Sequence, residues 1–283
     1  MGEIKFPSLE VYSGIADYLK QQSYSEGRKY YCHYTTLKNA ESILKNNEIW
    51  LSSVKKFNDR EDAKQFDVNK HYFAFCLCSQ KLENIPMWYL YSGMNGKGAR
   101  LRFTINKIKK LIEEGTYELY DKNDDTVLTS IPIDAMKITF QDVIYVLEKT
   151  SGAITLKCNG INNRNFDNTI LTKLKNKNIG FIKDYLWNYE KEIRLVVQIT
   201  DDDIISYFKT QKEYVIKLKP KTGIIATGLD FAPEIEEQSQ EIKGVLKTLE
   251  TKKMSSNYSK YQGIVKMNLC RDCDYRLRVE KKL

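Results

Sequence analysis

The longest unbroken apolar run in this 283-residue chain is YFAFCLC, residues 72–78. It falls far short of the ~20 residues a helix needs to cross a bilayer, but it matches a strand buried on both faces. Ala99, Leu101, Phe103 and Ile105 then alternate with Arg100, Arg102 and Thr104, the pattern of a strand with one buried face. Between such segments the spacing turns helical. Leu37, Ala40, Ile43 and Leu44 share one helix face, and Ile105, Ile108, Leu111 and Ile112 another that stops at Gly115. Helices do not alternate strictly with strands, so the pattern predicts an α+β fold: mixed, mostly antiparallel sheets with flanking helices.

Finer expectations follow along the chain. Val11, Ile15, Tyr18 and Leu19 suggest an N-terminal amphipathic helix. Residues 30–34 and 48–51 read as short strands, with Thr35 or Thr36 capping the helix after the first. Asn58 or Asp59 can cap a helix over 63–66, and Pro86 can open a short helix carrying Met87, Trp88, Leu90 and Tyr91. A loop is expected at 93–98 and an exposed insertion at 117–130. Strands are predicted at 136–146, 193–199, 214–218 and 224–227, helices at 166–177 and 234–249, and closing strands at 264–269 and 275–279. No Pro/Gly-rich linker cuts the chain, which is read as one domain over 1–283: an N-terminal helix (1–29), a core (30–231) and a C-terminal helix with closing strands (232–283).

Composition excludes several chemistries. Two histidines, His33 and His71, rule out a three-imidazole metal site. None of the 14 glycines forms a phosphate-loop or dinucleotide fingerprint. The opening MGEIKFPSLE lacks the layout of a signal peptide, so a cytoplasmic protein with reduced cysteines is expected. Cys76 and Cys78, with Cys270 and Cys273, can be drawn as a zinc site, but a CxC inside an apolar strand reads better as packing thiols. The net charge of +8 is concentrated in two places. Residues 252–282 carry nine basic side chains against three acidic ones, and residues 97–110 carry Lys97, Arg100, Arg102, Lys107, Lys109 and Lys110 with no acid. Both are candidate patches for a nucleic-acid or protein acceptor.

Several short motifs occur in a recognisable order. They are Tyr31-Cys32-His33-Tyr34-Thr35; Leu51-Ser52 with Phe57-Asn58-Asp59 and Glu61; Phe75-Cys76 to Ser79; Met87-Trp88 with Tyr91 and Gly98; and Lys183 with Trp187-Asn188-Tyr189-Glu190-Lys191-Glu192-Ile193-Arg194. Together, from about residue 30 to 249, they resemble the bacterial family catalogued as domain of unknown function twenty-nine seventy-one. Arg60 stands where that family often has proline, and Leu77 and Cys78 stretch the Phe-Cys…Ser motif by one residue.

The early His-Tyr-Thr strand, the aromatic helix and the late glutamates are also similar to the His–Tyr–Glu arrangement of ADP-ribosyltransferases. That resemblance implies NAD as a substrate. His33 and Tyr34 would belong to the ribose-binding strand, Tyr91 would stack on nicotinamide with Trp88 as substitute, and Lys183 or Arg194 would bind pyrophosphate or fix a carboxylate. Glu192 would be catalytic and Glu190 would orient the acceptor, in a toxin or phage-defence effector. The chemistry suits these residue types, because cleaving the nicotinamide bond passes through an oxocarbenium-like state that needs a carboxylate nearby. On strand alternation Glu190, Glu192 and Arg194 should share one face. Two alternatives stand beside this reading: a magnesium-dependent nuclease using Asp59, Glu61, Glu190 and Glu192, and a non-catalytic ligand-binding or nucleic-acid-binding module.

Overall fold

The run at 72–78 becomes the strand around which the sheet is organised. The computed structural model describes residues 4–5, 30–79, 83–92, 97–148, 153–157, 164–167, 179–209, 211–235 and 239–260. Among them the strands are β1 (Ile4–Lys5), β2 (Tyr30–Thr36), β3 (Ile49–Ser53), β4 (His71–Cys78), β5 (Gly98–Thr104), β6 (Thr116–Asp121), β7 (Thr126–Ile131) and β8 (Met136–Asp142). They continue with β9 (Ile144–Glu148), β10 (Ala153–Lys157), β11 (Arg164–Asp167), β12 (Ile182–Asp184), β13 (Glu192–Ile199), β14 (Tyr214–Lys219), β15 (Gly228–Phe231) and β16 (Ser255–Tyr258). The helices are α1 (Leu37–Asn46), α2 (Arg60–Ala63), α3 (Ile85–Tyr91), α4 (Ile105–Glu114), α5 (Asp202–Ile205) and α6 (Lys243–Thr251). The chain is α+β. One large, mostly antiparallel sheet runs β16-β15-β5-β2-β4-β3-β14-β6-β7, with β13 between β4 and β8 and β1 beside β8. A smaller sheet is ordered β11-β10-β9-β12.

One edge of β4 is paired along its whole length with β13, from Glu192 opposite Cys78 to Ile199 opposite His71. Two strands share the other edge. β3 pairs at Ser52–Ala74 and Ser53–Phe73, whereas β2 meets β4 at Cys32–Cys78. Around residues 75–77 neither ladder continues, so the sheet opens there. The Cys76 carbonyl, left without a ladder donor, accepts a 2.9 Å hydrogen bond from His33 Nδ1.

Register separates the two faces. Leu77, Phe75 and Phe73 on β4 lie opposite Ile193, Leu195 and Val197 on β13; with Leu101, Phe103 and Leu229 they form a buried apolar face. The opposite face carries Cys76, Cys78, Glu192, Arg194, Cys32, Tyr34, Arg100 and Asp230. Arg100 is therefore buried, against the one-sided pattern expected of its strand. It donates to Asp230 at 2.7 and 2.9 Å and lies over the Tyr34 ring.

Other expectations are corrected. Residues 117–130 are exposed only in part: β6 pairs with β14 and buries Tyr117, Leu119 and Tyr120, whereas residues 122–127 are exposed. The strand expected at 136–146 breaks at Val143, whose N–H donates to the Glu192 carbonyl. Residues 166 and 167 belong to β11 rather than a helix start, the strand expected at 224–227 is Gly228–Phe231, and the late helix begins at Lys243. The predicted N-terminal helix, most of the loop at 93–98, most of the helix at 166–177, the closing strands and Cys270 and Cys273 lie outside the described residues. Among the described residues no helix is long and apolar enough to cross a membrane.

Candidate active site

A cavity of about 180 Å³ lies where the sheet opens. Its walls include His33, Tyr34, Phe57, Asp62, Cys76, Tyr91, Lys183, Glu190, Glu192 and Arg194. Seven of the eight residues expected from the sequence thus border one cleft. The eighth, Trp88, does not: it is fully buried, donates from Nε1 to Glu83 and packs edge-on against Tyr34.

Glu190 does not sit on a strand. It ends a 3₁₀ turn (Tyr185–Glu190), and Lys191 follows in the left-handed conformation at φ 47° before β13 begins. The turn, rather than strand alternation, brings Glu190 beside Glu192. Two side chains from earlier in the chain hold it: Asn84 Nδ2 donates to the Tyr189 carbonyl at 2.6 Å, and Ser79 Oγ donates to the Lys191 carbonyl at 2.8 Å. Asn84 also caps α3, which carries Tyr91 to the same turn.

The charged groups form one buried chain. Glu192 is gripped at both oxygens by Arg194, from Nε at 2.7 Å and Nη2 at 2.8 Å. Arg194 grips Asp62 in turn, at 2.8 and 2.5 Å, donates to the Gly180 carbonyl at 2.6 Å and lies over the Phe57 ring. Lys183 lies between the glutamates, 2.6 Å from Glu190 and 3.4 Å from Glu192. The Tyr91 hydroxyl donates to the other oxygen of Glu190, and the Tyr145 hydroxyl accepts from the Glu192 N–H at 2.8 Å. Such bidentate, charge-assisted pairs are what makes burial of these ions tolerable.

The two glutamates are pushed apart. Burial, reinforced by the Glu192 charge, raises Glu190 to about 7. Glu192 is as deeply buried, but Arg194 and Lys183 outweigh that and hold it down at about 2. Burial lowers His33 to about 4, so its ring is neutral at physiological pH. Because Nδ1 faces the Cys76 carbonyl, it carries the ring proton and Nε2 remains an acceptor. By pleat, His33 belongs to the face opposite Glu192; it borders the cleft because the sheet is open at that point.

Asp62 and Tyr145 are the residues that sequence reading missed. The acids singled out beside Asp62 do other work. Asp59 caps α2 by accepting from the Glu61 N–H, and Glu61 is exposed and paired with Lys64. Of the four carboxylates drawn for a magnesium site, Asp59, Glu190 and Glu192 border the cleft and Glu61 does not. The basic segment 97–110 is not a uniform outer patch either, since Arg100 and Arg102 turn onto Asp230 and Lys107 donates to the Ile224 and Ala226 carbonyls.

Residues 87–195 match the family model described as Protein of unknown function (DUF2971), a match that begins at α3 and ends one residue beyond Arg194. No curated protein and no solved structure matches the chain.

Proposed function

We propose that this protein, a DUF2971 family member over residues 87–195, consumes NAD and transfers ADP-ribose to an acceptor. The observation that carries the reading is the charge balance of the cleft. Asp59, Asp62, Glu190 and Glu192 line the cleft with Lys56, Lys183 and Arg194, so four carboxylates meet three cations. With Glu190 ionised the cluster holds one excess negative charge, suited to a cationic nicotinamide ring and then to the ribosyl cation left when it departs. A cavity of about 180 Å³ takes the nicotinamide end of the dinucleotide rather than the whole molecule.

The roles follow from the partners. Arg194 occupies both oxygens of Glu192, which supports Glu192 as a clamp and Glu190 as the reacting group, the opposite of the assignment suggested by the Glu-x-Glu spacing. Glu190, poised near neutrality, acts on the reaction. The carbon–nitrogen bond to nicotinamide breaks with its electron pair leaving on the base, and Glu190 stabilises the resulting cation. The acceptor nucleophile then bonds to that carbon and its proton passes to Glu190. His33 Nε2 accepts a hydrogen bond from a ribose hydroxyl, and Tyr91 supplies a wall for the ring.

Incubation with NAD and cell extract tests this. Free nicotinamide and label on a macromolecule are expected; tight binding with NAD unchanged would make the protein a binding module instead.

A further inference from the structure

A second cavity of about 260 Å³ lies on the other side of the 3₁₀ turn Val54–Lys56, whose Lys56 borders both cavities. Five lysines line it (Lys55, Lys56, Lys70, Lys209 and Lys212) against two acids, Asp67 and Glu213, leaving a net +3. Three of these lysines are engaged: Lys56 with Glu213, Lys70 with Asp67 and Lys212 with Asp121. Lys55 and Lys209 are exposed and have no ion-pair partner among the described residues.

Much of the remaining wall is aromatic. His71 and Phe208 stack with centroids 3.9 Å apart and planes 9° from parallel, and Phe66, Tyr72, Phe73 and Tyr214 also line the cavity. Burial and the Lys55 charge both lower the His71 pKa, so the ring stays neutral and the lysines carry the positive charge of the cavity. At the rim Val68 is 75% exposed, an apolar side chain this fold does not cover. Flat rings beside unpaired cations are the two elements that recognise a base and its phosphate.

We propose that this cavity binds a nucleotide unit, with the base against the His71–Phe208 wall and the phosphate between Lys55 and Lys209. The same chemistry is presented by a free nucleotide and by one unit of a single-stranded nucleic acid. The assignment does not depend on the glycosyl-transfer reading, because neither Lys55 nor Lys209 borders the glutamate cleft.

Titration of the full chain with AMP and, separately, with an eight-residue single-stranded oligonucleotide, without NAD, tests the proposal. Binding is expected for the oligonucleotide and to weaken at least tenfold in the Lys55→Glu/Lys209→Glu double variant. Both positions are exposed, so the variant should keep the wild-type circular dichroism and melting curve. Glu190→Gln should bind as the wild type does, which separates this cavity from the cleft. AMP binding with the same loss in the double variant identifies free nucleotide as sufficient; binding of the oligonucleotide alone identifies a strand. If neither probe binds, or if the double variant binds both unchanged, the proposal is overturned.

Discussion

Asp62 and Arg194, 132 residues apart in sequence, are joined by two hydrogen bonds of 2.8 and 2.5 Å inside the protein. This pair fastens α2 to β13 and holds the guanidinium that holds Glu192. Breaking a buried pair by removing one partner leaves a charge without compensation, at a cost of about 3–5 kcal/mol. Asp62→Ala should lower unfolding stability by that order. Its exposed neighbour Glu61→Ala should change it by less than about 0.5 kcal/mol. Urea unfolding of the two variants checks the contrast.

The opposed glutamates predict a pH dependence of stability. Glu190, raised to about 7 by burial and by Glu192, binds its proton more tightly folded than unfolded. Its contribution is complete below about pH 4.5 and is lost as pH rises through 7, by up to about 3 kcal/mol. Glu192, held at about 2, contributes above about pH 4.5, and that part is lost as pH falls through 2. Unfolding measured at pH 5 and pH 8 should show lower stability at pH 8. Glu190→Gln, which mimics the protonated acid, should flatten the difference.

Tyr91 donates to Glu190, and that hydrogen bond lowers the Glu190 pKa. Tyr91→Phe should therefore move the Glu190 titration to higher pH. The carboxyl chemical shift, followed by NMR across pH 5–9, reads this directly.

Gly180 has φ +78°, and its carbonyl accepts from Arg194. A Cβ there would come within 2.0 Å of Phe66 Cζ, in a conformation that L-residues rarely adopt. Gly180→Ala should cost about 1–3 kcal/mol. Calorimetric melting measures the loss.

Local periodicity made much of the frame legible. The helix faces at Ala40 and Leu44 and at Ile108, Leu111 and Ile112 are buried as their spacing implies, and β13 falls where the run 193–199 placed it. The site was harder to read. Glu190 joins Glu192 through a left-handed residue at Lys191, which no alternation rule describes. The carboxylate that mattered in the Asn-Asp motif was Asp62, three residues beyond the Asp59 cap and so turned inward, and helical spacing from that cap was the available signal. Arg100 looked solvent-facing because its partner Asp230 lies 130 residues away. Buried ion pairs between distant segments leave no local pattern.

In the proposed reaction Glu190 acts on a cationic centre while Glu192 only holds the cluster. The most direct test follows nicotinamide release from NAD by the wild type and by Glu190→Gln, with circular dichroism showing both to be folded. Release by the wild type and none by the variant is the expected result. Release undiminished in Glu190→Gln, or none from the wild type, would contradict it.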